Sequence, residues 1–160
     1  MTRQRIGLTV AALIAAAALV VVGVFGYRYT EDRAADRTRA DVVGAASQQV
    51  EAMFSYTHAT VDSELPKSAD GLTGEFRGDY EKLIKEVIAP GAKEKQLTVK
   101  ATTTAAGVVS ATPDTAVVLV FLNQVSTGKD VAEGTTTGSR VRVTLQKEDG
   151  RWLVSQVTPV

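Results

Sequence analysis

The most marked hydropathy feature of the chain is an uninterrupted apolar segment close to its beginning. Residues 6–27 contain no charged side chain and no proline. As an α-helix with a rise of about 1.5 Å per residue, the segment is about 33 Å long, enough to cross a hydrocarbon core of about 30 Å. The pattern predicts a transmembrane helix over residues 6–27.

A cleaved secretory signal peptide and a buried soluble helix are the alternatives to this anchor. Apolar regions of signal peptides run about 7–15 residues and end in a small-residue cleavage site. Here the apolar run is longer, and it ends in Tyr27, Arg28 and Tyr29. Tyrosine rings suit the aromatic belt at a membrane interface. The rest of the chain is too small to surround such a helix, so the sequence favours an uncleaved anchor.

The charges on either side of the anchor predict its orientation. Arg3 and Arg5 precede it without any acidic residue, whereas basic and acidic residues balance over 28–41. The positive-inside rule therefore keeps residues 1–5 in the cytoplasm and places the C-terminal part in the periplasm or cell-envelope space. Oppositely charged residues over 28–41 stand at helix-neighbour spacing, which predicts a helical stalk.

Beyond the stalk, apolar residues recur first at helical spacing. Steps of three and four residues from position 42 predict a long first helix that ends at Pro66 or kinks shortly before it. The apolar positions are Val43, Ala46, Val50, Met53, Phe54, Thr57 and Val61. A second helix is predicted from about Glu75 to Ala89, with Thr73 as its N-cap and Pro90-Gly91 as its end.

After residue 96 the apolar spacing changes from helical to alternating. The pattern predicts strands around 97–102, 116–122, 140–146 and 151–157. Residues 126–139, rich in glycine and threonine, are predicted to form a long hairpin loop, and Asp149-Gly150 a tight turn. A two-residue loop there pairs Leu145 with Val154, whereas a three-residue loop pairs it with Leu153; the pattern is compatible with both.

Helices followed by strands predict an α+β domain over residues 42–160, with helices on one face of a four-stranded antiparallel sheet. The helix-facing side is predicted to carry Leu97, Val99, Val141, Val143 and Leu145. The strand at 116–122 is apolar on both faces, which leaves an apolar strip on the opposite side. We expect that strip to contact a partner or a second copy of the chain, because such strips are uncommon on monomers. Its predicted members are Val118, Val120, Leu122, Arg140 and Arg142.

Composition excludes several classes of function. Acidic and basic residues balance at 18 each, so no basic surplus indicates a nucleic-acid partner. The chain has no cysteine, which excludes thiol catalysis and cysteine-based zinc sites, and its single histidine excludes the common zinc-ligand sets. We therefore expect no metal site.

Several segments resemble the Mce-associated membrane proteins of mycobacteria and related actinobacteria. They are Ile88–Glu94, Ala106–Gln124, Ser139–Leu145 and Asp149–Val160. The resemblance covers nearly the whole chain and implies an outward-facing, cone-like NTF2-like domain with a curved sheet, similar to VirB8-type secretion components. It also implies an accessory role beside Mce complexes, which import lipids or sterols, with Mce transporter subunits, other Mce-associated proteins and membrane lipid as partners.

Some NTF2-like domains are enzymes that place an acid, a histidine or a tyrosine in an apolar cavity. The candidates here are Tyr56, His58, Asp62 and Tyr80, with His58 and Asp62 at helix-neighbour spacing. A lone histidine beside an apolar helix face is more typical of packing than of catalysis, so we expect no catalytic residue and no cofactor. The predicted function is a non-enzymatic, single-pass accessory protein that assembles or stabilises an Mce-type importer. A lipid-binding module, with a pocket between helices and sheet, is the first alternative, and an isomerase- or dehydratase-like enzyme is the second and less favoured one.

Overall fold

The computed structural model describes residues 38–160, apart from the side chains of residues 131 and 132. These residues form one compact unit. The predicted cytoplasmic tail, the transmembrane helix over 6–27 and residues 28–37 of the predicted stalk lie outside the described part. Within residues 38–160, no helix is both long and apolar enough to cross a bilayer.

Helix α1 covers residues 38–54 and buries one apolar face against the sheet. The buried positions recur at three- and four-residue steps, as expected for an amphipathic helix. They are Val42, Ala46, Val50 and Met53. The predicted continuation of this helix towards Pro66 is wrong, because the chain turns into the sheet immediately after residue 54.

A short strand, β1 (Tyr56–Thr57), makes the sheet five-stranded, whereas four strands were predicted. It pairs antiparallel with Val99 and Thr98. The backbone of His58 extends the pairing by donating from N–H to the carbonyl of Leu97 at 2.7 Å. Two residues are too few for hydropathy alternation to identify a strand, so tertiary pairing decides their conformation.

Two short helical segments connect β1 to the next long helix. Helix α2 (Val61–Glu64) continues directly into a 3-10 helix (Leu65–Gly71). Pro66 lies in the first turn of the 3-10 helix, where its missing N–H would have no partner in any case. Val61 and Leu65 are buried, so these segments cover one end of the core.

The second predicted helix is longer than its sequence pattern indicates. Helix α3 (Gly74–Leu83) passes through a π-helical turn (Ile84–Ile88) into helix α4 (Ala89–Lys95). Thr73 stands at the N-cap as predicted, although its side chain makes no capping hydrogen bond. Pro90 was predicted to end the helix, and this is wrong, because Pro90 lies in the first turn of α4.

The π turn explains how the helix passes Pro90. Proline has no N–H and its ring crowds the carbonyl four residues earlier, so an unbroken α-helical ladder is not available there. The N–H of Ala89 instead bonds the carbonyl of Ile84, five residues back. The helix finally ends where Gln96 adopts a left-handed conformation with φ 52°.

The sheet is an antiparallel meander in the order β1-β2-β3-β4-β5. The prediction of a long loop over residues 126–139 is wrong: Gly128 pairs with Val131, and pairing continues along both strands. Threonine has high β-propensity, which explains why this segment is extended. The long strands are β2 (Thr98–Ala111), β3 (Thr115–Gly128), β4 (Val131–Glu148) and β5 (Arg151–Pro159).

Bulges curl the sheet and a tight turn fixes its last register. Register shifts interrupt the β2–β3 pairing twice, and such irregularities bend strands and increase their twist. In the last hairpin, Asp149 and Gly150 have φ of 49° and 80°, the left-handed conformations that a two-residue turn requires. Leu145 therefore pairs with Val154, which is the first of the two registers left open by the sequence.

The inner and outer faces of β3 are the reverse of those predicted for its apolar residues. Val118 and Val120 pair with Val143 and Val141, so they point to the same side and are fully buried beneath the helices. Leu122 is also in this core. These residues were predicted on the opposite face, and that assignment is wrong because Leu119 and Phe121 occupy it. Arg140 and Arg142 are on the outer face as predicted, paired with Phe121 and Leu119.

Candidate functional site

An apolar cleft of about 480 Å³ opens on the helical side of the sheet. It lies between the end of α1, helix α3 with its π turn, and the inner face of the sheet. Its size falls within the range of about 300–1,000 Å³ that small-molecule sites occupy. The apolar lining includes Met53, Phe76, Leu83, Ile88, Val141 and Val157.

Tyr80 is a central polar residue of this cleft, and its hydroxyl is held by the protein itself. The hydroxyl donates to the carbonyl of Met53 at 2.9 Å and accepts from Ser68 Oγ at 3.1 Å. Burial raises the pKa of Tyr80 to about 12, opposed by the hydrogen bond from Ser68 and assisted by Tyr56. Tyr80 therefore remains neutral at physiological pH and links α3 to the end of α1.

A second polar group lies where the cleft meets β3 and β4. Ser139 Oγ donates to Gln124 Oε1 at 3.3 Å. Within residues 38–160, the amide nitrogen of Gln124 has no hydrogen-bond partner, so its donors remain available. Asp79 also borders the cleft, whereas Arg140, which contributes to the same border, stands on the outer face of β4 opposite Phe121.

The predicted catalytic candidates separate into two groups. Tyr56 and Tyr80 line the cleft, and burial raises the pKa of Tyr56 as well. Asp62 instead forms an ion pair with Lys93. His58 Nδ1 is buried and has no hydrogen-bond partner within residues 38–160. The sequence neighbours His58 and Asp62 therefore do not share the cleft with the tyrosines.

Several cleft residues were not singled out from the sequence as functional. Phe76 comes from helix α3, where it is one of the apolar residues that line the cleft. Asp79, Gln124 and Ser139 carry no motif, since they come from three separate elements and meet only after the sheet has formed. The polar interruptions at Gln124 and Ser139, within otherwise apolar inner-face positions, are the sequence signal that could have identified them.

The opposite face of the sheet carries a strip of apolar residues along β3, which we call the outer strip. It consists of Val117, Leu119 and Phe121, and it continues at Val125 beyond the polar Asn123. Phe121 and Val125 are 37% and 44% exposed. Arg140 and Arg142 stand beside it on β4, and within residues 38–160 neither guanidinium has an ion-pair partner. The strip is therefore apolar and positively bordered.

No cluster of metal-binding side chains occurs in the part of the chain that the structure describes. The acidic groups near the helices instead make surface contacts with basic ones. Arg77 bonds Asp70 and Glu81, with Nε 3.1 Å from Glu81 Oε1. Such exposed pairs contribute little to stability, so they are typical of a solvated helix face.

Comparison with known proteins gives a family and a fold. A family model for "Uncharacterized protein Rv1363c/MT1408-like" matches residues 4–160. The protein named "Outer membrane protein Rv1973" of Mycobacterium tuberculosis is 45% identical over 123 residues, which make up 76% of each chain.

Two solved structures of secretion-system proteins share the architecture. An IcmL-like type IV secretion system protein from Legionella pneumophila matches with a TM-score of 0.64 and 14% identity, over 76% of this chain and 93% of that one. CagV, a VirB8 homologue from Helicobacter pylori, matches with a TM-score of 0.61 and 13% identity, over 76% and 97%. The described domain therefore has a VirB8-like, NTF2-like α+β fold.

Proposed function

We propose that this chain, which belongs to the Rv1363c/MT1408-like family, is a non-enzymatic accessory protein of the cell envelope. Its role is to assemble or stabilise an Mce-type importer of lipids or sterols. The partners are transporter subunits or other Mce-associated membrane proteins. Residues 6–27 anchor the chain as a single transmembrane helix, with the N-terminus in the cytoplasm and the domain on the envelope side.

Two lines of comparison support an envelope role. A relative with 45% identity carries the name of an outer membrane protein. The fold is shared with type IV secretion system proteins, with a periplasmic fragment of TraM and with the periplasmic domain of DotI. The Mce partner itself is inferred from the resemblance of the four segments described above.

The observation that carries the proposal is the outer strip with its two arginines. Interfaces bury an apolar centre, and they are enriched in aromatic residues and arginine. Phe121 is an exposed aromatic residue directly opposite Arg140 on the neighbouring strand. A partner with an apolar patch next to aspartate or glutamate would bury the strip and neutralise both guanidinium groups.

Site-specific photo-crosslinking in native membranes tests this proposal. Phe121 is replaced by p-benzoylphenylalanine in the full chain, and Val87 is replaced in the same way as a control. Val87 is 60% exposed on the helical side of the domain, away from the outer strip. We expect position 121 to crosslink to an Mce-complex subunit and position 87 to give none of that product.

A charge substitution provides a second, independent measurement. Phe121→Glu places an acid beside Arg140 and removes the aromatic anchor, so we expect co-purified transporter subunits to fall at least tenfold. Val87→Glu is the matched control and leaves recovery unchanged. The proposal fails if position 121 crosslinks only to non-transporter proteins, or if both substitutions affect recovery equally. A crosslink to a second copy of this chain alone would assign the strip to a homodimer instead.

A further inference from the structure

We propose that the cleft binds one uncharged, elongated apolar molecule of the lipid class. This site is separate from the outer strip and does not depend on the proposed transporter partner. The inference is based on the walls of the cleft, its polar groups, the acidic residue at its border and the shape of its entrance.

The walls of the cleft favour hydrocarbon over water. Aromatic and aliphatic side chains from α1, α3 and the sheet form most of the lining. A cavity of about 480 Å³ exceeds the space that a few ordered waters fill, and apolar cavities hold water poorly. Apolar ligands gain free energy in proportion to the surface they remove from water, so such a cleft binds hydrocarbon well.

The polar groups limit the head group that such a ligand can carry. The Tyr80 hydroxyl is already occupied by Met53 and Ser68, so it offers little to a ligand. The amide nitrogen of Gln124 supplies donors to an ester, hydroxyl or ketone oxygen. A neutral hydrogen-bond acceptor therefore fits this end of the cleft.

The charge at the border of the cleft disfavours an anionic head group. Asp79 borders the cleft and Arg140 stands on the outer face of β4, so a carboxylate in the cleft finds no basic partner on the inner face. Moving an ion out of water without a paired counter-charge is costly. The site should therefore discriminate against fatty acids in their anionic form.

The π turn shapes the entrance. Leu83 and Ile88 both line the cleft although they are five residues apart. In a regular α-helix, residues at this spacing point about 140° away from each other. The wider π turn brings them onto one side of the helix. Leu83 remains 47% exposed, which makes it an apolar residue at the mouth of the site.

The test uses the full chain in lipid nanodiscs with a diazirine-labelled monoacylglycerol, an uncharged single-chain probe. After irradiation, mass spectrometry locates the labelled peptides. We expect labelling of the peptides that contain Phe76–Leu83 and Val157. Leu83→Arg places a charge at the mouth and should reduce this labelling at least tenfold. Val87→Arg, on the same helix but outside the lining, should leave it unchanged.

Competition and a filling variant complete the experiment. Each added methylene of an unlabelled monoacylglycerol should strengthen competition about fourfold while the chain still fits. An anionic fatty acid of equal length should compete at least tenfold more weakly. Val157→Trp fills the cleft from the sheet side and should also reduce labelling. Because it changes a different element, a loss in both variants is not explained by an effect of Leu83→Arg on folding. Equal labelling of the Leu83→Arg and Val87→Arg proteins overturns the proposal.

The same variants distinguish a failure of the lipid-site proposal from a failure of the transporter proposal. Leu83→Arg should leave crosslinking from position 121 unchanged, because Leu83 and Phe121 lie on opposite sides of the sheet. Loss of lipid labelling with intact crosslinking supports a separate ligand site. Anionic and neutral competitors of equal strength would contradict the inferred head-group selectivity.

Discussion

The buried hydroxyl of Tyr80 makes the stability of the domain sensitive to alkaline pH. Its pKa is about 12 in the folded protein, chiefly because of burial, against an ordinary value of 10.0. The native state therefore keeps a proton that the unfolded chain loses. The stabilisation from this group is complete below about pH 10 and is lost as the pH rises towards about 12.

The expected magnitude follows from the size of the shift. Each pKa unit corresponds to about 1.36 kcal/mol, so the full loss is about 2.7 kcal/mol, of which about 2 kcal/mol is gone at pH 11.5. Tyr80→Phe removes the ionisation, and it also removes the hydrogen bond to the Met53 carbonyl. That loss costs about 1–2 kcal/mol at pH 8. The wild type is therefore more stable at pH 8, and its advantage disappears or reverses at pH 11.5.

Urea unfolding of the full chain in detergent micelles measures this effect. The fluorescence of Trp152, the only tryptophan, reports unfolding at pH 8 and at pH 11.5. Tyr56→Phe is the control, since it removes the neighbouring tyrosine but keeps the Tyr80 hydroxyl. We expect the control to retain most of the alkaline loss. If wild type and Tyr80→Phe lose equal stability between the two pH values, the reasoning about Tyr80 is wrong.

Two further predictions compare neighbouring or similar positions, again by urea unfolding. Gly128→Ala should cost about 1–3 kcal/mol, because its Cβ would lie 2.9 Å from the backbone carbonyl of Lys95. A Cβ at Gly107 would meet open space, so Gly107→Ala should change the free energy of unfolding by less than about 0.5 kcal/mol. If both substitutions cost the same, the close approach at Gly128 is wrong. Leu122→Ala should cost about 2–5 kcal/mol because this side chain is fully buried. Phe121→Ala should cost clearly less, and the reverse order would mean that the two faces of β3 are exchanged.

The same strand shows where sequence reasoning stops. Residues 116–122 are apolar at every position, which is typical of a strand buried on both faces. Without alternation, the sequence does not show which side of this strand meets the helices. The neighbouring strand decides it: Val141 and Val143 are apolar while Arg140 and Arg142 are not, and pairing aligns them with β3. A register error of one residue would reverse the faces, and the alignment of separate strands depends on the folded sheet.

The helical region shows a similar limit. The apolar stripe of α1 and the second helix from about Glu75 were predicted, because periodicity and helix-start signals are local properties of the sequence. The end of α1 and the continuation of the helix past Pro90 were not predicted. The first depends on the pairing of β1 with Val99, and the second depends on the π turn at Ile84–Ile88. The α+β class and the final hairpin turn were predicted correctly, since helix order and Asp149-Gly150 are explicit in the sequence.

The cleft was expected only as an alternative, a pocket between helices and sheet, and of its polar residues only Tyr56 and Tyr80 were singled out from the sequence. Asp79 lies on α3, whereas Gln124 and Ser139 lie on β3 and β4, so no spacing in the sequence connects them. Catalytic and ligand-binding motifs can be recognised in a sequence because their functional residues stand at fixed spacings along the chain. An apolar site with scattered polar groups has no such offsets and becomes visible only in three dimensions.

The alternation of β3 keeps the two proposed surfaces separate while joining them through one strand. Leu122 faces the core beneath the helices, and its neighbour Phe121 faces outwards. An apolar ligand on the inner side and a protein partner on the outer side can therefore bind at the same time.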